Sequence, residues 1–172
     1  MIKVNDKYFE EYISEEELKL SVAKIADKIK ADHTDMSELV VIGVLNGSIP
    51  FMNDVIFKLP NNITIDYVKV SSYGDNLESS GKVELLLDTK LDIAGKDVLV
   101  IDDIIDSGLT QSFLKDHFSK KNARTVKSCC LFYKNAKADY SGIEIDDDFI
   151  IGYGLDYAQK GRNINRILKL VK

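Results

Sequence analysis

The stretch Val98-Leu99-Val100-Ile101-Asp102-Asp103-Ile104-Ile105-Asp106-Ser107-Gly108-Leu109-Thr110 decides how this chain folds. Its first four residues are a continuous apolar run, which suits a strand buried on both faces; a strand with one wet face would alternate apolar and polar residues. The run ends in two adjacent carboxylates, Asp102 and Asp103, and a short loop with Asp106, Ser107, Gly108 and Thr110 then opens a helix. In open sheets of parallel strands, ligands bind outside the carboxyl ends of the strands. A helix N-terminus placed there offers unpaired N–H groups and a positive dipole end to a phosphate. Ser107 and Thr110 add hydroxyl donors. Two carboxylates side by side repel unless something positive or hydrogen-donating lies between them, and a vicinal sugar diol or a chelated Mg²⁺ meets that need. The competing reading is a solvated turn in which Asp106 only caps the helix.

Earlier in the chain, residues 39–45 (LVVIGVL) form a second apolar run ending at Asn46-Gly47, again a strand covered on both faces. Before it, Ser14-Glu15-Glu16-Glu17 is a capping box, and Leu18, Val22, Ile25 and Ile29 recur at helical spacing, predicting a helix over residues 14–31. Helical spacing resumes at Ile49, Phe51, Met52, Val55 and Ile56, and a strand pattern returns at 63–70, so one βαβ unit is visible. Residues 71–82 (SSYGDNLESSGK) are a long polar loop. Further strand signals fall at 83–87, 125–133 and 149–153, with 109–120 helical. The alternation predicts an α/β fold with a largely parallel sheet flanked by helices, and with only Pro50 and Pro60 and no linker the 172 residues read as a single domain.

Composition limits the function. Lys plus Arg number 23 against 28 Asp plus Glu, a net charge of −5, which weakens any reading in which bulk charge holds nucleic acid or an anionic membrane. The apolar runs are far shorter than the roughly 18 residues that span a bilayer. The start of the chain has no secretory pattern, so the expected compartment is the cytoplasm. Cys129 and Cys130 are adjacent and point to opposite faces of a strand, so they read as core thiols. His33 and His117 lie in polar helical contexts and read as surface residues.

The segment from Val98 to Thr110 resembles the 5-phosphoribosyl-1-pyrophosphate (PRPP) signature of type I phosphoribosyltransferases. Three more stretches, in that family's order, extend the likeness to the hypoxanthine-guanine branch. Val44-Leu45-Asn46-Gly47-Ser48 resembles the pyrophosphate loop. Val70-Ser71-Ser72-Tyr73-Gly74 resembles the start of a mobile catalytic loop. Residues 143–157 with Arg162 resemble the purine-binding strand and hood. The resemblance implies a Rossmann-like core with a small hood from the N- and C-terminal segments, and transfer of phosphoribose from PRPP to hypoxanthine or guanine.

It also implies roles. Asp102 and Asp103 would hold the ribose hydroxyls, and the backbone of Ile104, Ile105, Asp106, Ser107, Gly108, Leu109 and Thr110 would cradle the 5-phosphate. Asp106 would sit beside purine N7 as the catalytic group. Leu45, Asn46, Gly47 and Arg162 would meet pyrophosphate, with a non-proline cis peptide between Leu45 and Asn46. Ser72 and Tyr73 would seal a loop that closes over PRPP. Lys137 would donate to the purine 6-oxo group, Phe149 would stack on the ring, and backbone groups at Ile150 and Asp156 would read its edge. Mg²⁺ would come with PRPP and face Asp102, Asp103 and Asp156. The family suggests a homodimer or homotetramer.

Two departures stand out: Asn46 replaces the family's usual lysine, and Asp102 its usual glutamate. The connection over 131–139 is short and lacks the basic run common there. Two rivals remain, a regulatory protein on the same fold that binds PRPP or a base together with nucleic acid, and a signalling receiver domain. The acidic balance opposes the first, and the position of the acidic pair at 102 and 103 opposes the second.

Overall fold

The computed structural model describes residues 1–33, 35–72 and 83–171. Two short strands, β1 (Ile2–Val4) and β2 (Lys7–Ile13), lead into helix α1 (Glu15–Asp32). The capping box is formed as expected: Ser14 Oγ accepts from the Glu17 N–H at 3.3 Å, and Glu17 accepts from the Ser14 N–H at 2.8 Å. Leu18, Val22, Ile25, Ala26 and Ile29 are the buried stripe.

Then come β3 (Leu39–Leu45), α2 (Ile49–Ile56), β4 (Thr64–Ser72), β5 (Val83–Leu87), β6 (Asp97–Ile105), α3 (Leu109–Lys120), β7 (Thr125–Tyr133), β8 (Tyr140–Glu144), β9 (Ile150–Ile151) and β10 (Ile167–Leu170). Six strands form the main sheet in the order β5-β4-β3-β6-β7-β8. All its pairings are parallel except that of β5 with β4. β3 pairs with β4 on one side and β6 on the other, so the chain changes direction across the sheet at β3 and β6. Their carboxyl ends form the crevice in which such sheets bind ligands.

Both central strands are buried on two faces, as their composition requires. Val41, Leu99 and Ile101 face the core under α1 and α2. Val40, Ile42, Val98 and Val100 face the core under α3 with Leu114 and Phe118. Cys129 and Cys130 are buried in two different clusters, the outcome expected of adjacent strand residues.

Three expectations are corrected. β6 does not end before the acids; it stays paired with β7 through Ile104↔Phe132 and Ile105↔Tyr133, so Asp102 and Asp103 are strand residues. The strand signal at 149–153 shrinks to two residues. It contributes only β9, in a second, antiparallel sheet ordered β1-β2-β10-β9. His33 is buried at 9% exposure, because the end of α1 packs against β8, where the Tyr140 hydroxyl lies 3.4 Å from its ring. Among the described residues no helix is long and apolar enough to cross a membrane.

Candidate active site

Three segments converge at the carboxyl ends of β3 and β6. The first is the tight turn after β3, where the Leu45–Asn46 peptide is cis and the buried Ser48 hydroxyl donates to the Val44 carbonyl at 2.6 Å. Gly47 there lies so close to Asp103 that a Cβ would overlap its carboxylate and force it to move. The second is the acidic pair. The third is the hood, in which Gly154 (φ +102°) comes so close that a Cβ would overlap the Gly47 carbonyl. Glycine thus lets the hood backbone reach the turn and the turn reach the acidic pair.

Asp102 is 7% exposed, and both its oxygens are engaged. Oδ1 accepts the Asp103 N–H at 3.0 Å, and Oδ2 accepts from Gln111 Nε2 on α3 at 2.7 Å. Burial pushes the Asp102 carboxyl well above the usual carboxylate range, and the Asp103 charge beside it adds to the effect. Burial also raises Asp103, against hydrogen bonds from Asp102 and the Ile104 N–H and the charge of Arg162. The pair is an electrostatic debt that an incoming cation or a pair of sugar hydroxyls would relieve.

Beyond the pair, α3 starts at Gly108 (φ +80°) with no side chain capping it, so its first N–H groups remain available to an anion. Asp106 therefore does not cap the helix; it is exposed and its Oδ1 accepts from Asn135 Nδ2 at 2.9 Å.

On the hood side lies a cavity of about 310 Å³ lined by Asp103, Ile104, Lys134, Asp147, Asp148, Phe149, Ile150, Leu155, Asp156 and Arg162. Phe149 is 46% exposed, an unusual state for an aromatic, while its other side packs against Phe9 and edge-on against Tyr157 at centroid distances of 6.4 and 5.8 Å. A planar heterocycle would find a stacking face there and a cation, Lys134, at the same wall. Arg162 ties the hood together: it donates to the Gly154 carbonyl at 2.7 Å and pairs with Asp156 at 2.6 Å.

The family described as the phosphoribosyl transferase domain matches residues 10–158. This chain is a member of that phosphoribosyltransferase family. The hypoxanthine-guanine phosphoribosyltransferase of Bacillus subtilis (strain 168) is 40% identical over 158 residues, covering 88% of this chain and 87% of that protein. Its counterpart from Aquifex aeolicus is 32% identical over 173 residues, covering 97% of each. Among solved structures, a hypoxanthine-guanine phosphoribosyltransferase from Bacillus anthracis, with a HEPES molecule in its active site, superposes with a TM-score of 0.87 at 44% identity. It covers 94% of this chain and 98% of that one.

In this phosphoribosyltransferase most of the expected residues gather. Gly47, at the end of the turn Leu45-Asn46-Gly47, adjoins Asp103, and Phe149, Ile150, Asp156 and Arg162 share one cavity with it. Lys137 does not join them. β7 ends at Tyr133, the Lys134 N–H bonds the Ile105 carbonyl, and the chain then turns away toward α3. Lys137 consequently lies over the Tyr133 ring, 4.8 Å from its centroid, and lines a separate cavity of about 370 Å³ beside α3. Lys134, missed in the sequence reading, lines the cavity with Phe149 instead. The signal was present, since 134 is the residue directly past the carboxyl end of the strand beside the acidic strand, where ligands bind.

Gln111 and Asn135 were missed as well; each is a polar residue whose partner lies on another segment, nine and 29 residues away. Ser72 ends β4, and Tyr73 lies outside the described residues. Among the described residues no three His, Cys, Asp or Glu side chains group to hold a metal, so Asp102, Asp103 and Asp156 are not a protein-only cage.

Proposed function

We propose that this phosphoribosyltransferase moves the 5-phosphoribosyl group of PRPP onto N9 of hypoxanthine or guanine, releasing pyrophosphate in a purine-salvage reaction. The observation that carries the reading is the one wall on which the exposed face of Phe149, the Lys134 ammonium, Asp103 and Arg162 meet. In it, Phe149 stacks on the base, Lys134 donates to the 6-oxo group, and the backbone at Ile150 and Asp156 faces the ring edge. The 5-phosphate takes the open N-terminus of α3 and residues 104–110, the ribose hydroxyls take the acidic pair, and the loop 45–47 with Arg162 faces pyrophosphate.

As the C1′–O bond breaks, its electron pair leaves with pyrophosphate, and the N9 lone pair forms the new C1′–N bond. The purine proton passes to Asp106 or is held by it at N7. The ribosyl centre becomes oxocarbenium-like and needs no strong nucleophile, so alignment and exclusion of water supply most of the rate. A Mg²⁺ brought in with PRPP would supply charge neutralisation at pyrophosphate. It favours one or two carboxylates plus substrate phosphate oxygens over an all-protein cage, a pattern that Asp103 and Asp156 suit. The same reading takes the assembly as a homodimer or homotetramer and the compartment as the cytoplasm.

The test is pyrophosphate release from Mg²⁺-PRPP with hypoxanthine, guanine, xanthine, adenine or uracil. Release with the 6-oxopurines is expected. PRPP binding without release for any base would instead identify a binding protein on this fold.

A further inference from the structure

Three consecutive residues beyond β7 brace three residues around the loop between β6 and α3. The Lys134 N–H donates to the Ile105 carbonyl at 2.9 Å. Asn135 Nδ2 donates to Asp106 Oδ1 at 2.9 Å. Ala136 packs so closely on Gly108 that a Cβ there would lie 3.3 Å from the Ala136 Cβ. We propose that Asn135 is a positioning residue that sets the orientation of the Asp106 carboxylate for the transfer step. The proposal rests on the assignment of Asp106 to purine N7 made above.

An aspartate carboxylate turns broadly about its last torsion, so an exposed one samples many orientations unless something holds it. Asp106 is exposed and has no work as a helix cap, which leaves Asn135 as the side chain that fixes it. With Oδ1 engaged by Asn135, Oδ2 is the oxygen left to accept from a purine N–H. The donor is also of a suitable kind. A lysine or arginine would orient the group equally well, but its charge would stabilise the carboxylate and weaken it as an acceptor of a proton; a neutral amide orients without pairing charge. The brace is rigid at both ends, through the backbone bond at Lys134 and the close packing at Ala136. Asn135 itself is exposed and fills no core space, so its removal should leave the fold intact.

The experiment compares Asn135→Ala, Asn135→Gln, Asp106→Asn and the double variant Asn135→Ala/Asp106→Asn with wild type. The readouts are single-turnover rates with hypoxanthine and Mg²⁺-PRPP, KM for PRPP, and melting temperature. Asn135→Ala is expected to slow the single-turnover rate about ten- to a hundredfold, the cost of losing one hydrogen bond to a charged group. KM for PRPP and the melting temperature should stay near wild type, and Asn135→Gln should recover part of the rate. In the Asp106→Asn background, Asn135→Ala should cost nothing further.

An Asn135→Ala rate within about twofold of wild type, alongside a large loss in Asp106→Asn, overturns the proposal and leaves the role of Asp106 standing. An equal loss in both backgrounds also overturns it, because Asn135 would then act without Asp106. Wild-type rates in Asp106→Asn would overturn the assignment of Asp106 itself, and the proposal with it.

Discussion

Asp102, Asp103 and Asp106 lie within one short stretch of chain yet have three different surroundings. Asp102 is buried and doubly hydrogen-bonded, Asp103 touches the turn after β3, and Asp106 stands in solvent held by Asn135. On the proposed assignment of Asp106 to purine N7, changing it to Asn keeps shape and reach but removes the base, so turnover should fall by roughly 10² to 10⁴ while PRPP affinity barely moves. Asp103→Asn should weaken PRPP binding too, since a charge-assisted acceptor is lost. Mg²⁺-PRPP titration beside steady-state rates separates the two. Asp102 has a stability signature of its own. Its folded-state pKa is raised, so the folded chain binds the proton more tightly than the unfolded chain, and stability falls as pH rises from the ordinary carboxylate range toward that raised value. In metal-free buffer without PRPP, Asp102→Asn should therefore melt a few degrees higher than wild type at pH 7, with the gap closing toward pH 4. Equal melting temperatures across that range would contradict the stated cost of burying the charge. The acids were legible in sequence because a buried apolar run leading straight into adjacent carboxylates puts charge at the ligand-binding end of a parallel sheet; Gln111 was not, because its bond to Asp102 crosses from helix to strand.

At the scale of elements, β3 and α3 have the bounds their apolar patterns gave, and α1 is displaced by one residue, because local burial periodicity determines all three. β6 ran longer than its apolar core because its neighbour β7 continues to pair with it, a partner that periodicity along one strand does not reveal. The end of β7 makes a direct comparison possible. Lys134→Ala should raise KM for hypoxanthine by about tenfold or more, the loss of a charged donor to a carbonyl oxygen, while Lys137→Ala should leave it near wild type. The reverse result would restore Lys137 to the site. The opposite end of β6 tests stability without chemistry. There the Arg124 fork bonds Asp97 at 3.0 and 2.7 Å, Thr125 adds a third bond at 2.7 Å, and the Asp97 pKa is held down at about 2. A depressed carboxylate contributes stability that is present above its unfolded pKa and lost as pH falls through about 2. Arg124 is half exposed and screened, so the contribution is discounted to about 1 kcal/mol. Asp97→Asn should lose that amount at pH 7 in urea unfolding, with kcat unchanged.

The whole molecule is two sheets meeting over one crevice, and the smaller sheet was the less legible. β1 has three residues and β9 two, and β2 pairs with β10 across nearly the whole length of the chain, with Phe9 opposite Leu170. No window of sequence contains such a pairing, so the hood came from the resemblance and not from periodicity. Its fit to the core depends on Gly154, whose missing Cβ lets the hood reach the turn at Gly47. Gly95 provides the control, since it too has positive φ, +73°, but a Cβ there would meet nothing within 4 Å. Replacing either glycine by alanine imposes backbone strain of about 1 kcal/mol, so Gly95→Ala should lower stability by that much and leave activity intact. Gly154→Ala must in addition drive the hood off the Gly47 carbonyl or shift the turn itself. Its stability loss should be about 2 to 4 kcal/mol, and its kcat/KM for PRPP should fall more than about a hundredfold, because Arg162, Asp156 and the base wall move with the hood. Denaturant melts and rates for the two variants, measured side by side, decide the point. Equal losses in both would mean that the strain at a positive φ is the whole effect, and that the close approach of the two sheets does not set the geometry of the site.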